Sequence, residues 1–484
     1  MTQDSPTPPP RRYRPGPAEL RLRAGRVLRS HVPPTMPIGV RGDEDGPGDQ
    51  YAREVIDLAL RTGEALLATG ASASDVTGTV LRLTRAYSLR SISVDVTLTS
   101  ITVSYHRGPF RDPVTVMRIV PSTAADFTRL EALQELVRDI VEADNPYEDI
   151  QARDRLDKIV NQPHPYQRNI VTVAMAFLGA GITALLGGGI WQILLTACIA
   201  ATIDRVQRRL ALAALPAFFS QAVGAAIPTI VALSIWALSK ITRVPLELGL
   251  TPSVVIATGV VVLLVGLSVV STAQDVLDGY YVTAAGRTLQ VILLSSGVVA
   301  GVLVTLWIGK WMRVPLGEVD PSVGLSDALI FSTLAAFVCS SANAVVSYTG
   351  LRATAAAGAI GALAWFIFRV VNGLGMELVG ATAVAAIVVG ASSQFMAATF
   401  KLPSLALATG GIVPLVPGLS VYRGIFEMVN GAPDGEGLNA LVSAGALGLA
   451  LAAGVSLGSL PVRRLQADRL QRKLLRRSAG DARE

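Results

Sequence analysis

Charge, cysteine and histidine are all scarce in this chain. Only 16% of its 484 residues are charged and 51% are hydrophobic, whereas soluble domains carry about 25% charged residues. That balance excludes an ordinary water-soluble protein and points to one embedded in lipid. The two cysteines, Cys198 and Cys339, lie inside apolar runs, which excludes a disulfide-stapled secreted scaffold. His31, His106 and His164 show no metal-ligand spacing, so no metal or other cofactor is expected. The chain has no GxxxxGKS/T loop, so an ion gradient rather than ATP is the expected energy source.

The first 48 residues, rich in Pro, Arg, Gly and Asp, lack the apolar core of a signal peptide and read as a disordered tail. The net charge of +6 collects in that tail and in the basic run 463–477. Basic flanks of membrane spans account for it better than nucleic-acid binding, which is not expected.

Residues 49–165 are polar and long enough for their own core. YAREVIDLALRTGEALLATG reads as an amphipathic helix ended by Gly70, and Ser72, Ser74 or Asp75 caps a second one. In RSISVDVTLTSITVSY the apolar face runs through Ile92, Val94 and Val96, then slips by one to Ile101, Val103 and Tyr105. A bulge or tight turn is expected near Thr99 and Ser100. With a third strand at PVTVMRIV and two further helices, this is a small α+β domain. Ser72, Ser74, Asp75, Asp95 and His106 are better explained as caps and strand positions than as a hydrolase set.

Between Ile170 and Leu460 there is room for about ten spans of roughly 20 residues. An even count puts both termini on one side, and Arg153, Arg155, Lys158, Arg168 and the basic tail place that side in the cytoplasm. PSVVIATGVVVLLVGLSV at 252–269 recurs at 403–421. From Pro252 and Pro403, 8 of 14 positions are identical, and after one extra residue, Pro417, both copies continue with GLSV. The copies fall in the fourth and ninth spans. Five spans apart, they cross in opposite directions, as in the inverted repeats of secondary transporters, where interrupted helices bind substrate. Gly410, Gly411, Pro414, Pro417 and Gly418 would break the ninth span near mid-membrane. Such a break needs protein or a water-filled cavity to satisfy its backbone. Half-helix ends offer N–H groups to an anion and carbonyls to an ammonium, which suits a zwitterionic amino acid. Packing is the competing reading for each glycine alone.

Ionisable groups inside such a bundle are functional hypotheses. Asp275 and Asp278, just after the fourth span, are candidates to titrate or to hold an ammonium, or else form a solvated interfacial pair. Thr258 and Thr409 share one repeat position and either contact substrate or bond the preceding turn. Arg423 and Glu427 follow the break and either gate it or sit in an outer loop. Gln221 and Asn343 are the buried amides most expected to face substrate.

TGEALLATGASASDV, SVDVTLTSITV, GGGIWQ, LPAFFSQAVGAAIPT, ATGVVVLLVGLSVVSTAQD, VTAAGR, SGVVAGV and GGIVPLVPGLSVYRG together resemble the bacterial threonine/serine exporter family over nearly everything after residue 50. The tail before residue 49 has no counterpart in that pattern, and Thr99 stands where relatives carry Asn. The resemblance implies export of threonine and serine driven by the proton-motive force. It points to Asp95, Asp275 and the element from Pro414 to Arg423. Two-chain relatives are linked to dicarboxylate export, which keeps a succinate-like substrate as an alternative. A membrane-anchored enzyme or sensor acting through 49–165 is a third.

The expected architecture is an α-helical polytopic protein of the plasma (inner) membrane. A tail (1–48) and a cytoplasmic α+β domain (49–165) precede two inverted five-helix repeats (166–311 and 312–462) and a basic cytoplasmic tail (463–484). Its expected partners are a small-molecule substrate, protons and the lipid bilayer, with homo-oligomerisation left open.

Overall fold

The computed structural model describes residues 48–89, 91–106, 112–120, 124–143, 149–242, 248–264, 269–313, 328–416, 418–430 and 436–480. Its N-terminal part is built from α1 (Asp49–Ala68), α2 (Ala73–Ala86), β1 (Ile92–Val96), β2 (Ser100–Tyr105), β3 (Val114–Ile119), α3 (Phe127–Glu142) and α4 (Asp149–Asn161). In α1 the residues at helical spacing, Ala52, Val55, Ile56, Ala59 and Leu60, are all buried. The hydroxyl of Ser72 caps α2 by accepting the Asp75 N–H at 3.1 Å.

The strands form an antiparallel sheet in the order β1-β2-β3, with Val94 opposite Val103. The slip in alternation is a tight turn: Thr97 donates its N–H to the Ser100 carbonyl at 2.9 Å. That turn keeps Ile92, Val94 and Val96 on the same buried face as Ile101, Val103 and Tyr105.

The rest is helical: α5 (Arg168–Leu185), α6 (Ile190–Leu212), α7 (Ala217–Ile241), α8 (Pro252–Leu264), α9 (Val269–Leu277), α10 (Tyr281–Trp311), α11 (Leu329–Val346), α12 (Leu351–Gly373), α13 (Leu378–Phe400), α14 (Ser404–Gly411), α15 (Gly418–Asn430) and α16 (Glu436–Gly480). Among the described residues, 7 helices are long and apolar enough to cross a membrane: α5, α7, α10, α11, α12, α13 and the 437–462 part of α16. The bent pair α14/α15 makes 8. This is fewer than the ten of the sequence reading. α6 carries Asp204, Arg205, Arg208 and Arg209 in its second half, and α8 has only 13 residues.

The second half of the bundle repeats the first. α5 and α11 each have 18 residues, and α6 and α12 each have 23. Residues 168, 187, 190 and 214 correspond to 329, 348, 351 and 375, a constant spacing of 161. Gly187 and Tyr348 both turn the chain with positive φ, and so do Ala214 and Gly375. The neighbours repeat too. α5 packs on α6 as α11 packs on α12, α7 on α10 as α13 on α16, and α8 on α7 as α14 on α13.

Close approach within these pairs rests on glycine. A Cβ at Gly301 of α10 would overlap the Ala222 carbonyl oxygen of α7, and one at Gly458 of α16 would overlap the Ile387 carbonyl oxygen of α13. Gly445, on an open face of α16, meets nothing within 4 Å. Gly301→Ala is therefore expected to destabilise the detergent-solubilised chain by about 1–3 kcal/mol. Gly445→Ala should leave the thermal unfolding midpoint unchanged or raise it.

Candidate functional site

The ninth-span phrase is broken where the sequence reading placed the break. α14 ends at Gly411, a single 3-10 turn spans Val413–Leu415, and the helix restarts at Gly418 with a bend of 48°. Pro414 sits buried in the 3-10 turn and has no N–H to continue a helix. Val416, which precedes Pro417, is extended at φ −64°, ψ 130°, as a residue before proline tends to be. Pro417 itself lies outside the described residues. In the first copy α8 stops at Leu264 and α9 begins at Val269, with 265–268 outside the described residues.

The two interrupted elements pack crosswise, α8 on α15 and α9 on α14. Gly418 lets them meet, because a Cβ there would overlap Val261 of α8 and lie 3.1 Å from the Ala257 carbonyl oxygen. Gly410 likewise accommodates Ala357 of α12, whose Cβ would be 2.8 Å away.

The paired threonines differ. Thr409 bonds its own helix, donating to the Leu405 carbonyl at 2.7 Å. Thr258 joins a buried hydroxyl cluster instead, 2.9 Å from Thr183, which donates to Thr196 at 2.7 Å. Gln221 accepts a bond from Gln207 at 3.4 Å, and Asn343 is buried on α11. The hydroxyls of Ser340, Ser341, Ser393, Ser456 and Tyr422, the Trp365 indole N–H, Gln274 Oε1 and Glu427 Oε2 are buried without a hydrogen-bond partner. Such groups in a helical bundle call for a polar ligand or water. Arg423 is half-buried on α15.

Asp275 occupies the junction with the N-terminal domain. Its Oδ1 accepts the N–H of Ala73, the first residue of α2, at 2.7 Å. Its Oδ2 lies 3.2 Å from a guanidinium nitrogen of Arg287, and Arg287 also donates to the Ala71 carbonyl at 2.8 Å. Both side chains are buried, with 0% and 5% exposure. The carboxylate thus sits at a helix N-terminus and beside a cation, both of which favour its charge. Burial opposes them.

Around it, Asp278 accepts the Ser74 hydroxyl and Thr283 donates to the Val96 carbonyl at 3.1 Å. Asp95 is exposed on β1, opposite Thr102. The domain grips a second turn as well. The N–H groups of Phe127 and Thr128 bond the carbonyls of Ser347 and Tyr348 at 3.1 and 3.0 Å, and Tyr166 donates to the Thr349 carbonyl at 2.7 Å.

Of the sequence candidates, Asp275 and Asp278 come together at this junction, and Thr258, Gly410, Pro414 and Gly418 lie along the two broken elements. Arg287 escaped the sequence reading. Its signal was a lone cation ahead of an apolar run in VTAAGRTLQVILLSS. Among the described residues, no three His, Cys, Asp or Glu side chains group as a metal site.

A polytopic helical bundle with an interrupted helix and buried polar groups at its core is the architecture of a membrane transporter. Residues 57–309 match a family model described as "Putative threonine/serine exporter", and residues 332–460 match one described as "Threonine/Serine exporter, ThrE". The chain is 34% identical over 441 residues to the "Probable threonine/serine exporter" of Mycobacterium tuberculosis, covering 89% of this chain and 81% of the relative. It is 34% identical over 420 residues to the "Threonine/serine exporter" of Corynebacterium glutamicum, covering 85% and 83%. No solved structure matches. The chain belongs to the threonine/serine exporter family and is a transporter rather than an enzyme.

The buried pair is testable one partner at a time. Asp275→Asn leaves the buried Arg287 guanidinium without its counter-charge and should lower the thermal unfolding midpoint in detergent. Arg287→Ala strands a buried carboxylate and should cost about 3–5 kcal/mol at neutral pH.

Proposed function

We propose that this chain exports threonine and serine across the plasma (inner) membrane in exchange for protons. Two inverted five-helix repeats, 166–311 and 312–462, would alternate access to a site between the interrupted helices. The observation that carries the reading is the repeat itself, in which the first three helices of each half recur at a spacing of 161 and the two copies of the repeated phrase pack against each other.

Adding α6, α8/α9 and α14/α15 to the seven long helices restores ten spans and puts both termini in the cytoplasm. The docked N-terminal domain supports this arrangement. It touches the turn before α10 and the turn after α11, and two spans separate those turns. With ten spans both turns face the cytoplasm, where the domain holds the inner mouth closed.

The names of the relatives supply the substrate class, and the geometry agrees with it. A break that exposes both N–H and carbonyl groups complements a zwitterion. A dicarboxylate calls for free cations, and the buried guanidinium of Arg287 is already committed to Asp275. Asp275 is the carboxylate positioned to couple proton binding to release of the domain.

Proteoliposomes loaded with labelled threonine, serine or succinate test this directly. Threonine and serine release should accelerate under an imposed pH gradient, and the acceleration should be lost in Asp275→Asn. Release of succinate alone would transfer the protein to dicarboxylate export, and no gradient effect would refute proton coupling.

A further inference from the structure

The repeated phrase extends further than its identical residues. Once Gly266-Leu267-Ser268-Val269 is set against Gly418-Leu419-Ser420-Val421, Asp275 falls opposite Glu427, and Asp278-Gly279 opposite Asn430-Gly431. The fold agrees with this alignment. α9 packs on α10 and α16, and α15 packs on α16 and α10. The two halves therefore each place a carboxylate on the helix that follows the repeated phrase.

Their surroundings differ. Asp275 has a backbone N–H and a guanidinium. Glu427 is half-buried, and its Oε2 is shielded from solvent with no hydrogen-bond partner. The charged residues on the elements around it are few. α15 itself carries Arg423 one turn earlier, α8 has none, and α16 has none from 437 to 462 although Glu436 begins it. α10 has Arg287, paired with Asp275, and Lys310 near its far end. None of these donates a hydrogen bond to Glu427 Oε2. One oxygen of this carboxylate thus faces the protein interior with no donor beside it, an open position in the bundle.

We propose that Glu427 is the proton-binding carboxylate of the outer half of the pathway, the counterpart of Asp275 at the inner end. This assignment rests on the proton-coupled, inverted-repeat reading above. A proton from the outer solution binds at the Glu427 carboxylate when the outer side opens, forming one O–H bond. It leaves toward the cytoplasm when access switches. The inner carboxylate locks the domain while the outer one loads.

The test uses the full chain in proteoliposomes with labelled threonine and two readouts: release driven by a pH gradient, and threonine–threonine exchange without one. In Glu427→Gln, gradient-driven release should fall to the no-gradient rate while exchange stays within about twofold of wild type. Glu427→Asp should restore part of the gradient response. Wild-type gradient response in Glu427→Gln would overturn the proposal. So would loss of both readouts in Glu427→Gln and Glu427→Asp alike, which would mark a structural role. If the wild type shows no gradient response, the proton-coupled reading fails, and the assignment fails with it.

Discussion

The hydrogen-bonding demand of an interrupted helix governs this molecule. Lipid offers no donors or acceptors, so a helix that stops inside a bundle must have its open backbone groups satisfied by protein or by water. Here Pro414, in a single 3-10 turn, and the extended Val416 stop one helix. Each interrupted element is surrounded by protein: α14 by α11, α12 and α13, and α8 by α5, α6 and α7. Glycines at the contacts bring these backbones together. The same break that must be shielded from lipid is where the proposed substrate site lies.

One of the ties between the N-terminal domain and the bundle is built around a buried ion pair. Asp275 and Arg287 neutralise each other, and each also bonds the segment that leads into α2. A buried pair adds little net stability but is costly to break on one side only. It therefore fixes a position more than it adds strength. The neutral bonds of Phe127, Thr128 and Tyr166 to the turn after α11 hold the domain at a second point.

Much of this was legible in the sequence, and the limits have physical causes. The tight turn between β1 and β2 showed as a one-residue slip in alternation. The break at 412–417 showed through its prolines, because proline acts locally. The Asp275–Arg287 pair and its tie to Ala73 did not show, since the tie joins residues 202 positions apart. The full extent of the repeat was hidden as well. Its left-handed turns carry Gly187 in one half and Tyr348 in the other, then Ala214 and Gly375. Backbone geometry repeats there while residue type does not. Thr258 and Thr409 share a sequence position yet differ in contacts, because Thr183 and Thr196 have no hydroxyl counterparts at the corresponding Ala344 and Ala357.

In the proposed transport scheme the two halves cross the membrane in opposite directions. Ala213 and Leu374 follow α6 and α12 at corresponding, exposed positions, so they test it most directly. In a chain carrying Cys198→Ala and Cys339→Ala, single cysteines would be introduced as Ala213→Cys or Leu374→Cys. Each would be probed in cells with a membrane-impermeant maleimide. Inverted repeats predict labelling of Leu374→Cys in intact cells and of Ala213→Cys only after permeabilisation. Labelling of both from the same side would contradict the inversion and the transport scheme built on it.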